Sequence, residues 1–138
     1  MAINSHQLWI TGGLNGYNYL ASTEIVDLTS YPAATVDQGP EMPIPMYGHC
    51  LVKLNESTVL FMYGYQTFFF DHSAAQAWTN GPDMIYNRLW FGCGMMQMGD
   101  GSTAIVVAGG ASSPTKTEFL VLDDPNGMKW SVGRVTLP

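Results

Sequence analysis

The chain has 138 residues and a formal net charge of −6, with 46% hydrophobic and only 12% charged residues, which indicates one globular domain and excludes a disordered chain. Its five lysines and arginines are too few for a phosphate-binding basic patch, so we expect no nucleic-acid partner. No apolar run reaches the length of a membrane span, and the first residues lack the basic and long apolar parts of a signal peptide.

Short apolar runs, rich in aromatic and β-branched residues and bounded by Gly, Pro, Asn, Asp and Ser, predict an all-β chain. Almost no window has apolar residues at helical spacing. In chain order, the eleven predicted strands are roughly Gln7–Gly13, Ser22–Leu28, Thr35–Pro40, Tyr47–Leu54, Thr58–Tyr65, Thr67–Ser73, Ala77–Gly81, Leu89–Met98, Thr103–Gly110, Thr117–Leu122 and Lys129–Arg134.

Four phrases recur in a fixed order along the chain, which predicts an internal repeat. An apolar run ending in glycine occurs as "LWITGG" from Leu8, "LFMYGY" from Leu60 and "IVVAGG" from Ile105, at spacings of 52 and 45 residues. A second phrase follows as "STEIVDL", "TFFFDHS" and "KTEFLVLDDP". The third is "TVDQGPEM", "WTNGPDM" and "WSVGRVTLP", and the fourth is "MYGHCLVKLNES" and "RLWFGCGMMQMGDGS".

This order of phrases resembles the kelch repeat over essentially the whole chain. Three positions depart from the family pattern. Tyr65 replaces a second glycine, and Val36 replaces a tryptophan. Met46 replaces an arginine that is usual in the family and that the next repeat has at the equivalent position, Arg88. The resemblance implies a β-propeller fragment of about three four-stranded antiparallel blades, with strands lettered a to d outward from a central axis. The blades would be approximately residues 1–43, 44–85 and 86–138.

The resemblance also assigns structural roles to the repeated glycines and tryptophans. The glycines end the b strands, where they would let neighbouring backbones approach and permit positive φ angles. Trp78 and Trp130 would fill space between neighbouring blades. A plain hairpin turn in a β-sandwich is the alternative for the glycines. The glycines are Gly12, Gly13, Gly64, Gly109 and Gly110.

The predicted strands do not complete a ring. The chain begins at a b strand, so the first blade would lack strand a, and three blades are fewer than propellers usually need. The inner edge of the first blade and the outer faces of both end blades would be exposed. We therefore expect either self-association or further blades from a longer chain.

The residues offer little for catalysis or metal binding. His6, His49 and His72 show no tight ligand spacing, and Cys50 and Cys93 lie at nearly equivalent places on two a strands, which predicts two free thiols. The segment 123–127, "DDPNG", could bind calcium but has the composition of a plain turn. The triplet "NES" at Asn55 is a glycosylation sequon that matters only if the chain is secreted. We expect no metal and no other cofactor.

Two classes of function remain open. The first, which we favour, is a protein-interaction module that is not an enzyme and binds an unidentified protein through the d–a and b–c loops, which share one face in propellers of this type. The second is a fragment of a kelch-type enzyme such as a copper radical oxidase. An adaptor for a ubiquitin ligase would need a BTB domain, which this sequence lacks.

The candidate partner-binding residues are Tyr17, Asn18, Tyr19, Tyr47, Tyr86, Asn87, Arg88, Trp90 and Lys116, for which packing at blade ends is the alternative role.

Overall fold

Runs of β-branched and aromatic residues that stop at glycine or at a turn residue form strands in the computed structural model, which describes residues 1–73 and 77–133. No helix occurs among these residues, so none of them forms a helix able to cross a membrane. The predicted all-β class is confirmed. The strands are β1 Gln7–Thr11, β2 Leu14–Asn15, β3 Asn18–Tyr19, β4 Thr23–Asp27, β5 Thr35–Gln38, β6 Cys50–Lys53, β7 Thr58–Tyr63, β8 Gln66–Asp71, β9 Ala77–Asn80, β10 Gly92–Gln97, β11 Thr103–Ala108, β12 Thr117–Val121 and β13 Trp130–Val132.

The strands of the described ranges form four antiparallel sheets. Sheet I has the order β1-β4-β5, sheet II the order β6-β7-β8-β9 and sheet III the order β10-β11-β12-β13. This grouping of three, four and four strands agrees with the sequence prediction. The fourth sheet, here called the tyrosine hairpin, pairs β2 with β3 and was not predicted. The predicted last strand extends to Arg134, which lies outside the described residues.

The chain divides into two compact units. The first, Met1–Tyr47, contains sheet I and the tyrosine hairpin. The second begins at Gly48 and contains sheets II and III. In sheets II and III consecutive strands are neighbours, whereas in sheet I the tyrosine hairpin lies in the chain between the paired strands β1 and β4.

The N-terminal residues pair with the edge of sheet I, which corrects the expectation that this edge is bare. Ala2 forms an antiparallel bridge with Leu8. The Trp9 N–H donates to the Met1 carbonyl at 2.8 Å, and the Met1 amino group donates to the Trp9 carbonyl at 2.8 Å. The sequence does not predict this pairing, because three residues are too few to show the alternation of a strand. Part of the β1 edge is therefore satisfied within the chain.

The turn after residue 3 is closed by the same type of backbone hydrogen bond as the first turns of sheets II and III. Each turn is closed by a backbone hydrogen bond between residues four apart: Ile3 N to Gln7 O at 2.9 Å, Leu54 N to Thr58 O at 2.9 Å, and Met98 N to Ser102 O at 2.8 Å. An Asn or Asp side chain then accepts hydrogen bonds from the turn backbone, as such residues commonly do. These are Asn4, Asn55 and Asp100. Residues 1–3 thus occupy the place of the end of a first strand.

A second contact also recurs in all three large sheets. At the end of the last strand, a glycine N–H donates to a threonine carbonyl of the preceding strand at 2.8–2.9 Å. A Cβ on any of these glycines would overlap the Oγ1 atom of that threonine, so the position requires glycine. The pairs are Gly39 with Thr23, Gly81 with Thr67, and Gly133 with Thr117. The repeat seen in the sequence is therefore also a repeat of hydrogen bonds.

Sheets II and III enclose the main hydrophobic core of the second unit. Leu60 and Met62 of β7 pack in one cluster with Ile105 and Val107 of β11. All four side chains are fully buried. Burial of this kind stabilises a fold by roughly 1.5–3 kcal/mol for each large aliphatic side chain. The apolar strand phrases are therefore the elements that hold the two sheets together.

The two predicted structural tryptophans pack differently. Trp130 of β13 belongs to the core cluster, and its Nε1 donates a hydrogen bond to the Pro82 carbonyl of the segment after sheet II at 2.9 Å. Trp130 therefore bridges sheets II and III. Trp78 is half-buried and packs within sheet II, with its ring 4.8 Å from Phe61 and 4.6 Å from Phe70 between centroids.

The two cysteines form a disulfide, so the prediction of two free thiols is wrong. Cys50 in β6 and Cys93 in β10 have Cα atoms 6.2 Å apart, within the 4.4–6.8 Å range usual for disulfides. The prediction failed because it assumed that equivalent strands of neighbouring sheets are too far apart. Sheets II and III instead approach each other through β6 and β10, their first strands.

Candidate partner-binding loops

The tyrosine hairpin is built by the loop that connects β1 to β4. Leu14 pairs with Tyr19 and Asn15 with Asn18, which leaves a two-residue loop of Gly16 and Tyr17. Gly16 has a φ of 63°, as the first loop position of a type II′ hairpin requires. Tyr17 is 100% exposed at the tip. The local sequence thus projects an aromatic side chain into solvent.

Backbone hydrogen bonds fix this hairpin to the loop that follows β5. The Gly13 N–H donates to the Met46 carbonyl at 2.7 Å, and the Met46 N–H donates to the Leu20 carbonyl at 3.0 Å. Gly12 has a φ of 54°, and a Cβ there would overlap the Met46 carbonyl oxygen. Glycine at the end of β1 is therefore needed for the close approach of the two loops.

Tyr19 and Tyr47 join these two loops through their side chains. Their rings stack with centroids 4.2 Å apart and an interplanar angle of 20°, and the two hydroxyl oxygens are 3.4 Å apart. Tyr19 is half-exposed and Tyr47 is partly buried. The structure therefore brings the predicted residues Tyr19 and Tyr47 into contact, while Tyr17 lies exposed at the tip of the same hairpin and the predicted Asn18 pairs with Asn15.

The second unit contains a buried ion pair beneath its own loops. Arg88 and Glu118 are both fully buried, and the Arg88 Nε donates to the Glu118 Oε1 at 2.9 Å. The Glu118 carboxylate also accepts hydrogen bonds from the backbone N–H groups of Ile85 at 2.6 Å and Tyr86 at 3.2 Å. Glu118 therefore fixes the loop that leads from sheet II into sheet III.

Arg88 extends this network to the loop between β11 and β12. Its Nη1 donates to the carbonyls of Gly109 and Lys116, the second at 3.0 Å. A fully buried side chain cannot contact a partner at the surface, so the packing alternative applies to Arg88 and its assignment to partner binding is corrected.

The other predicted residues near Arg88 are Tyr86, Asn87 and Lys116, and all three are partly buried. The ring centroid of Tyr86 lies 5.6 Å from the Arg88 guanidinium carbon.

Trp90 is the exposed aromatic residue of the second unit among the predicted set. It is 66% exposed and has a φ of 53°, an uncommon value for a residue other than glycine. Its indole lies against Gly48, whose absent side chain makes room for the ring, and the Trp90 N–H donates to the Gly48 carbonyl at 2.7 Å. Residues held in sparsely populated backbone conformations cluster at functional sites.

The role of Glu118 was not predicted, although a comparison of the repeats contains a signal for it. Arg88 and Glu118 of the third repeat correspond to Met46 and Phe68 in the second. Both members of the pair change from charged to apolar together, and Met46 and Phe68 are also buried. Such joint replacement within one chain indicates two positions that depend on each other.

The pKa shifts of the titratable groups are explained by local burial and by hydrogen bonds within turns. Burial lowers the pKa of His49, whose ring lies 6.3 Å from that of Phe61. Hydrogen bonds from the side chain and backbone of Thr29 lower the pKa of Asp27 to about 2. Hydrogen bonds from the Ser102 side chain and backbone lower the pKa of Asp100. These carboxylates stabilise turns, as Asp residues commonly do.

The candidate metal-binding residues do not come together in the described part of the chain. There, no three His, Cys, Asp or Glu side chains are close enough to hold an ion. In the 123–127 segment, Asp124 accepts a hydrogen bond from the Asn126 N–H at 2.8 Å, which is the arrangement of a plain turn. Both cysteines are in the disulfide, so neither thiol is free for the cysteine–tyrosine crosslink of a copper radical oxidase.

No protein-family model matches the chain, and no curated protein sequence matches it significantly.

Proposed function

We propose that the chain is a kelch-type protein-interaction module, part of a β-propeller, that binds a protein partner through the loops at one end of its sheets. The observation that carries this proposal is the group of Tyr17, Tyr19 and Tyr47. Two loops far apart in sequence present the stacked rings of Tyr19 and Tyr47, and Tyr17, at the tip of the same hairpin as Tyr19, is fully exposed. Tyrosine dominates binding energy at many protein interfaces because it offers a large, rigid contact area with a hydrogen-bonding group.

The repeated contacts support the propeller part of the proposal. Three consecutive stretches of chain share the same first-turn hydrogen bond and the same glycine–threonine contact. Each large sheet is antiparallel and keeps its strands in chain order, as a propeller blade does. Sheets II and III share one apolar core and approach each other through β6 and β10, as expected of neighbouring repeats that bury a common core.

Alanine substitution of Tyr17 or Tyr19 is expected to weaken binding by at least about tenfold, because truncating a tyrosine that acts as an interface hot spot costs about 2 kcal/mol or more. The probe is a peptide selected from a random displayed library by panning against the intact chain. Titration of the purified variants with this peptide gives the change in Kd. The thermal midpoint of Tyr17→Ala should stay close to that of the wild type, since the fully exposed Tyr17 makes no contribution to the core.

Tyr31→Ala is the matched control for this experiment. Tyr31 is also well exposed, but it lies in the loop between β4 and β5, at the opposite end of sheet I from the tyrosine hairpin. It should leave the peptide affinity unchanged. If the peptide no longer bound the Tyr31→Ala variant but still bound the Tyr17→Ala and Tyr19→Ala variants, the binding surface would lie elsewhere, which would contradict the proposal.

We also propose that the isolated chain self-associates through exposed apolar sheet faces. Leu8 and Ile10 of β1 and Val36 of β5 are exposed on sheet I, and Met96 is exposed on sheet III. Apolar sheet faces of this kind are normally covered. Light scattering at high micromolar concentration should show dimers or larger species, and Ile10→Lys should shift them toward monomer. A wild-type chain that stays monomeric would contradict this prediction.

A further inference from the structure

We propose that Asn55 is an acceptor for an N-linked glycan, which assigns to the chain a modification independent of its proposed binding function. Asn55, Glu56 and Ser57 form the one Asn-x-Ser/Thr triplet of the 138-residue sequence, and the middle residue is not proline. The triplet lies in the turn between β6 and β7, where Asn55 and Glu56 are exposed.

The turn uses only one of the two polar atoms of the Asn55 side chain. Its Oδ1 accepts hydrogen bonds from the Ser57 N–H at 2.9 Å, the Ser57 hydroxyl at 3.1 Å and the Thr58 N–H at 2.9 Å. Its Nδ2 donates no hydrogen bond to any residue that the structure describes. Because a glycan is attached at Nδ2, the modified residue keeps its Oδ1 and can still stabilise the turn.

The transfer itself requires a lipid-pyrophosphate-linked oligosaccharide as the donor. The Asn55 Nδ2 forms a bond to the first carbon of the sugar, the bond from that carbon to the pyrophosphate oxygen breaks, and Nδ2 loses one proton. The lipid pyrophosphate is the leaving group, and no oxidation or reduction takes place. The Ser57 hydroxyl is the group that the sequon requires beside the amide.

The disulfide gives this triplet a context that the sequence alone lacks. Cys50 and Cys93 are paired, and no free cysteine remains in the described chain. Disulfides persist in secreted proteins and in the secretory lumen and are rare in the reducing cytosol. N-linked transfer takes place in that same lumen. Cys50 lies five residues before Asn55, so the bonded cysteine and the sequon belong to the same β6–β7 hairpin.

The test is expression of the full chain in mammalian cells behind a cleavable secretory leader. Secreted protein should show one mobility shift that peptide-N-glycosidase removes, and mass spectrometry should locate the resulting Asn-to-Asp conversion at residue 55. Ser57→Ala and Asn55→Asp should abolish the shift, whereas Ser57→Thr should retain it. Asn55→Asp keeps an oxygen acceptor for the turn, so its secretion should match that of the wild type.

Asn4→Gln is the matched control, because Asn4 holds the equivalent turn of sheet I but is followed by Ser5 and His6, which do not complete a sequon. This variant should be glycosylated like the wild type. Secreted wild-type chain that contains the Cys50–Cys93 disulfide but carries no glycan would overturn the proposal. A shift that persists in Asn55→Asp would overturn it equally.

Discussion

Replacing Glu118 by alanine is expected to lower the free energy of unfolding by about 3–5 kcal/mol, the usual cost of removing one partner of a buried ion pair. The Arg88 guanidinium would remain buried without its counter-ion, and the N–H groups of Ile85 and Tyr86 would lose their acceptor. Small domains are stable by only about 5–15 kcal/mol, so much of the stability would be lost. Urea denaturation followed by tryptophan fluorescence measures the change.

Glu24→Ala provides the matched control. Glu24 follows Thr23 in sheet I as Glu118 follows Thr117 in sheet III, but its side chain is exposed. Its replacement should change the free energy of unfolding by no more than about 0.5 kcal/mol. Equal stability of Glu118→Ala and the wild type would show that the ion pair does not hold the loops.

A double variant separates the effect of the ion pair on stability from the effect of side-chain volume. Arg88→Met with Glu118→Phe copies the apolar residues at the equivalent positions of the second repeat. Because no buried charge is left alone, this chain should be more stable than Glu118→Ala. It should remain below the wild type, since the Gly109 and Lys116 carbonyls lose their donor and each buried unpaired group costs about 1–3 kcal/mol.

The strands were predictable because each large sheet is continuous in sequence and its phrases are bounded by turn residues. The repeated "GG" ends placed the loops correctly, and their five glycines have the positive φ angles expected of them. Six of the predicted strands begin at the observed residue, but most run one to three residues too far at an end, as for the strand predicted over Tyr47–Leu54 and observed at Cys50–Lys53. The alternation of apolar and polar residues alone does not show where the last hydrogen bond of a strand lies.

Features that depend on short pairings or on distances between sheets could not be predicted. The two strands of the tyrosine hairpin have two residues each, which is too short to show an alternation. The Cys50–Cys93 bond depends on how closely β6 and β10 approach, and strand phrases carry no information about that distance. Arg88 was assigned to the surface because its type is common at interfaces, whereas its burial depends on the distant Glu118.

The tyrosines of the first unit show what sequence topology can give without a structure. Because the b–c and d–a loops share one face in propellers of the kelch type, the resemblance predicted that the loops holding Tyr19 and Tyr47 lie at the same end. The ring stacking was not predicted, because it depends on side-chain direction at the end of a hairpin that had not been recognised. Topology therefore places loops together, and local pairing decides which side chains meet.

Reduction of the disulfide is expected to lower the free energy of unfolding by about 4 kcal/mol, since the bond closes a loop of 43 residues and restricts the unfolded chain accordingly. The bond links the first strands of sheets II and III beside their shared core. Its loss leaves the packing of Leu60 and Ile105 in place but removes the covalent link between the sheets. Urea denaturation with and without reductant measures the difference.

A thiol count fixes the starting state of this experiment. The unfolded chain should give no reactive thiol before reduction and two afterwards. Cys50→Ala with Cys93→Ala should resemble the reduced wild type in stability and should not respond to reductant, because alanine preserves an apolar site and leaves no thiol. Two thiols before reduction would contradict the disulfide. A reduced chain as stable as the oxidised one would show that contacts between β6 and β10, and not the covalent bond, hold sheets II and III together.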